Sequence, residues 1–78
     1  MSNVAKSIKK SINEQLVKLE AEEMRLNEYY EGRMRVADDS CYAGIARSIA
    51  RNEAKNAQQR LDNIIDRKIE LLKELQAL

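Results

Sequence analysis

The chain contains no proline, no histidine, no tryptophan and no phenylalanine, and it has one cysteine and two glycines. Each absence removes a class of explanation. Without proline, nothing in the 78 residues compels a helix to stop by removing a backbone donor. Without histidine, a Ser-His-Asp triad, a Cys-His dyad and a histidine-ligated metal site are excluded within the chain. The single Cys41 cannot form an internal disulfide or a zinc knuckle, and it fits a reducing compartment. No glycine-rich loop exists to cradle phosphate. No apolar run approaches the ~20 residues that span a bilayer. The N-terminal Met1–Lys10 carries charge but lacks the apolar centre of a secretory signal. The expected setting is cytoplasmic, with no catalytic residue, cofactor or metal.

What remains is helical. Charged residues make up 35% of the chain, the formal net charge is +1, and Ile, Leu, Ala and Met supply most of the apolar content. That composition fits a solvated helical hairpin or coiled coil rather than a mixed α/β domain. The near-zero charge argues against both a nucleic-acid mimic and a general polyanion binder.

One interruption organises the pattern, at Val36-Ala37-Asp38-Asp39, with Gly32 and Gly44 on either side. Before it, Ala5, Ile8, Ile12, Leu16, Leu19, Leu26 and Tyr30 repeat at helical spacing, broken by the polar pair Glu22 and Glu23. After it, Ala50, Ala54, Ala57, Leu61, Ile64, Lys68, Leu71, Leu75 and Leu78 keep a heptad seam, with Lys68 the one charged intruder. The pattern predicts a single all-α domain over 1–78. Helix 1 spans about 3–35, a turn about 36–40 and helix 2 about 40–77, each helix about 50 Å long at ~1.5 Å per residue. Ser2 or Asn3 is the expected cap of the first helix, and Asp38, Asp39 or Ser40 that of the second.

Folding at Asp38 sets Ile12 near Ile64, Leu16 near Leu61, Leu19 near Ala57, Leu26 near Ala50 and Tyr30 near Ala46. It carries the acidic column Asp62, Asp66, Glu70, Glu74 onto Lys6, Lys9 and Lys10. It carries the basic column Arg47, Arg51, Lys55 towards Glu20, Glu23 and Glu28. An antiparallel hairpin follows, and its leftover apolar row Ile65, Ile69 and Leu72, with Met24 and Met34, suggests dimerisation into a four-helix bundle. Docking of a different protein on that row is the alternative.

Two further features bear on chemistry. Cys41 falls in the expected first turn of helix 2, where the helix dipole favours a thiolate; with no base in the chain it reads as a small residue packed under the turn, with an intermolecular disulfide or redox contact as the alternative. The acidic column reads as a solvated face, since bundle di-metal sites pair glutamate with histidine at i+3.

The turn end carries the strongest binding signal. Tyr29, Tyr42, Arg33, Arg35, Arg47 and Arg51 converge there, and Tyr and Arg are the types enriched at binding hot spots. The competing reading makes Tyr30 core and pairs the arginines with Glu28, Glu31, Asp38 and Asp39. Taken together, the chain reads as a non-enzymatic helical protein that binds another protein as adaptor or steric inhibitor. Accessory proteins of phages and other mobile elements have that character. In shape the paired hairpins are similar to the plasmid RNA-binding Rop proteins, which implies RNA binding as the alternative partner. Leu61–Leu72 resembles the first helix of helical chorismate mutases, where further helices complete the pocket. An enzyme here needs a site formed between subunits.

Overall fold

A computed structural model describes residues 3–78. The expected cap at Ser2 lies outside the described residues, and Asn3 is already the first residue of helix α1. Helix α1 runs Asn3–Asp38 and helix α2 runs Gly44–Ala77. They fold back on each other into an antiparallel hairpin of 62 × 15 × 12 Å. Among the described residues no helix is long and apolar enough to cross a membrane.

The break comes later than the pattern predicts. Val36, Ala37 and Asp38 continue α1 because Ala37 still points into the seam, where it is fully buried. The turn proper is Asp39–Ala43. The Asp39 carboxylate accepts the Cys41 amide at 2.9 Å, an Asx turn, and the Asp39 carbonyl accepts the Tyr42 amide at 3.2 Å. Asp38, Asp39 and Ser40 therefore do not cap α2. Ala43 occupies the cap position without a side-chain bond. Neither glycine adopts a positive φ; Gly32 lies inside α1, and Gly44 opens α2.

Moving the turn from Asp38 to beyond Cys41 slides the pairing by roughly two helical turns. Tyr29 meets Glu53, and Gln15 meets Arg67. The expected layers Ile12–Ile64, Leu19–Ala57 and Leu26–Ala50 shift accordingly, and Leu71 comes to the level of Ile12. The charge columns miss their expected targets as well. Among the described residues, no ion pair joins Asp62, Asp66, Glu70 or Glu74 to Lys6, Lys9 or Lys10. Arg47 and Arg51 turn to a backbone carbonyl instead of glutamates.

One pairing explains two irregularities of the sequence together. Lys68, the charged intruder in the second stripe, bonds Glu23, the polar gap in the first, at 3.4 Å, with both side chains about three-quarters covered. Each would be costly alone at a half-buried seam. Paired, they penalise any slip that separates them, which makes them a register device.

The core is thin. The buried apolar side chains are Ile12, Ala37, Ala50, Ala54, Ala57, Leu61, Ile64 and Leu71. Half of them are alanine, and these alanines let the helices approach closely from the turn to mid-length. Leu71 is the largest fully buried side chain. Among the described residues no aromatic side chain is buried, so the hairpin rests on few side chains for its length.

Candidate binding surface at the turn

The turn end is fixed by its arginines before it offers them to anything. Arg47 Nε donates to the Ala37 carbonyl at 3.0 Å, and Arg51 donates to the same oxygen at 3.4 Å. That oxygen belongs to the last turn of α1, whose carbonyls have no intrahelical donor and carry the negative helix pole. Two guanidinium groups from α2 thus cap α1 across the hairpin and tie the helices together at the bend.

Tyr29, Arg33 and Glu53 form a second tie. The Tyr29 hydroxyl donates to Glu53 Oε2 at 2.6 Å. Arg33 lies 3.7 Å from Glu53 Oε1 and 5.9 Å from the Tyr29 ring centroid. The bond to the Glu53 carboxylate, followed by desolvation and then by the negative charge of Glu53, holds the Tyr29 phenol above its ordinary value of 10.0. Arg33 and Arg60 oppose that shift. A raised value means that the bond is intact below pH 10 and is lost as pH climbs through the folded-state value. Glu53→Ala should therefore lower the Tyr29 titration midpoint, read from the ring 13Cζ shift by NMR. An unchanged midpoint would refute the tie.

The remaining expected site residues separate. Arg35 is exposed and reaches only Glu31, at 4.0 Å on its own helix. Tyr42 is exposed in the loop. The expected partners of the arginines are thus right for Arg35 alone. Arg33 goes to Glu53, and Arg47 and Arg51 go to Ala37, rather than to Glu28, Asp38 or Asp39. Cys41 is exposed in the turn, outside α2, so it neither packs beneath the bend nor sits at a helix N-terminus.

Two residues that the sequence reading passed over are the most conspicuous at this end. Ile45 is 78% exposed and Ile49 is 54% exposed, next to Tyr42 at 49%. They stand one turn apart at the start of α2, on one flank. Their signal was present as an apolar i,i+4 pair off the Ala50–Ala54–Ala57 seam. An expected helix start at residue 40 hid it, because that start placed the pair deeper in the helix.

On the opposite flank of α2, Ile65, Ile69 and Leu72 are each somewhat under half exposed. Ile45 and Ile65 lie about five and a half turns apart along the helix, which sets the two apolar groups back to back. Met24 is exposed on α1, whereas Met34 is half-buried beside Tyr30. Among the described residues, no group of three metal-ligating side chains comes together.

No protein-family model matches the chain, and neither the curated proteins nor the solved structures include a match to it.

Proposed function

We propose that the hairpin is a binding protein without catalytic chemistry, which presents its turn end to another protein as an adaptor or a steric inhibitor. The observation that carries this reading is the Tyr42–Ile45–Ile49 cluster. Three large side chains, two of them purely apolar, fall within eight residues of the chain at the tip and are each about half exposed or more. An isolated exposed isoleucine needs no explanation; a cluster at the tip of a rod marks a contact surface.

The tip is also preorganised. Capping of Ala37 by Arg47 and Arg51 fixes the bend, so little ordering entropy is lost when a partner closes on it. Arg47 and Arg51 are thereby positioning residues, and charge reversal there would disturb the turn as well as any contact. The contact set is Tyr42, Ile45 and Ile49, with Arg35 and Tyr29 at the rim. RNA binding is the weaker reading, because the side chains most exposed at the start of α2, Ile45 and Ile49, offer nothing to phosphate.

The test compares the wild-type chain with the Ile45→Asp, Ile49→Asp double variant. Each would carry a photo-crosslinking residue at Tyr42 and would be expressed in its native cells. A discrete protein adduct with the wild type, absent from a variant of equal helical ellipticity, is the expected result. An adduct that survives the substitutions rules out the turn end. Adducts to RNA whose yield falls steeply with salt would replace this reading by the Rop-like one.

A further inference from the structure

The opposite flank of α2 carries a pattern that the turn-end reading does not use. Arg51, Lys55, Asp62 and Asp66 are spaced by four, seven and four residues, so they share one stripe of the helix. Ile69 lies on the same stripe, five turns beyond Arg51. The stripe is basic towards the turn and acidic towards the open end, with Gln58 and Gln59 between. Within the chain, Lys55 and Asp66 have no ion pair among the described residues. Beside the stripe, Tyr30 and Met34 floor a shallow groove that Arg51, Lys55 and Asp62 border.

We infer that a second copy of this chain covers this flank, as an antiparallel two-fold dimer whose axis passes beside α2 at the level of Gln58 and Gln59. That axis sets Lys55 of one copy opposite Asp62 of the other, and Arg51 opposite Asp66. It lays Ile65 and Ile69 at the levels of Tyr30 and Met34 of the second copy, so each apolar row fills the other's groove. A surface that complements itself in this way is what an isologous interface requires. The parallel alternative sets Lys55 against Lys55 and Asp62 against Asp62, and like charges oppose it. Arg51 keeps its bond to Ala37 throughout, since a guanidinium has donors to spare.

Exposed area supplies the second argument. The hairpin exposes 6034 Å², whereas a compact monomer of this mass exposes about 4,900 Å². The excess of about 1,100 Å² exceeds the ~800 Å² per partner that a standard interface buries. A second hairpin laid along the flank has the length to cover that excess. The Tyr42–Ile45–Ile49 cluster lies on the other side of α2 and stays open, so the dimer does not depend on the turn-end proposal.

Cys41 makes the orientation measurable, because it is the sole cysteine and stands exposed in the turn. A nitroxide on Cys41 of the full chain, with light scattering on the same sample, reports mass and distance together. The expected result is twice the 9.0 kDa chain mass, with a spin–spin separation of about 50 Å, since each turn lies ~17 residues from the axis. A separation of about 20 Å, two helix spacings, would mean parallel hairpins and overturn the inference. A mass of one chain would overturn it outright. Charge exchange checks the pairing itself. Lys55→Glu should weaken the dimer roughly tenfold, and adding Asp62→Lys should restore it; failure to restore counts against this axis.

Discussion

Leu71→Ala should cost about 3 kcal/mol and lower the midpoint of thermal unfolding by roughly 15 °C, far more than any surface substitution. The reason lies in how few side chains hold the hairpin. Leu71 is completely enclosed and has no equal among the buried residues, half of which are alanine. Truncation removes three carbons, Cγ and its two methyl groups, from a thin seam and leaves a cavity that two rigid helices cannot close without losing register. Leu72, one residue on and half exposed, supplies the contrast. Leu72→Ala should cost under about 1 kcal/mol at a concentration where the chain is a monomer. Circular dichroism melts of both variants at matched concentration decide the matter. Equal losses would mean that the seam does not run through Leu71.

Why was the fold legible and its register not? Periodicity recovers the two helices because burial of one stripe per helix leaves a 3.6-residue rhythm, and Ala50, Ala54, Ala57, Leu61, Ile64 and Leu71 are all buried as that rhythm implies. The antiparallel return needs only a single break. Register depends on where the break falls, and here that is decided by events local pattern does not encode. Ala37 reads as part of a polar interruption, yet it is buried, and its carbonyl is held by side chains ten and fourteen residues away. Asp39 reads as a helix cap and serves instead as the hinge of an Asx turn. A three-residue error in the turn becomes a six-residue error in every pairing, since both helices of the hairpin shift.

The candidate surface was legible in its location and not in its composition. Tyrosines and arginines do gather at the turn, but the arginines that looked available are spent on Ala37 and Glu53. Exposure at that end belongs to Ile45 and Ile49. Long polar side chains can reach back to satisfy backbone groups, whereas an isoleucine off the seam has nothing within its own chain to meet. Residue type alone therefore overstates the arginines and understates the isoleucines.

Ala54→Leu should destabilise the hairpin by about 2 kcal/mol, even though leucine is nearly as good a helix former as alanine. Ala54 is 1% exposed, between the similarly enclosed Ala50 and Ala57 on the buried stripe. Leucine there has no cavity to enter, so the helices must separate or the side chain must leave its rotamer wells. Ala21→Leu on the exposed side of α1 adds the same atoms and should be neutral within about 0.5 kcal/mol. Tyr29 should respond to the same substitution. Separation beside Ala54 moves Glu53 away from Tyr29, so the phenol's midpoint should fall towards 10.0 in the same variant. Stability lost without that movement would place the strain in α2 alone. Both changes together would tie the alanine seam, the Tyr29–Glu53 bond and the geometry of the turn end into one mechanical unit.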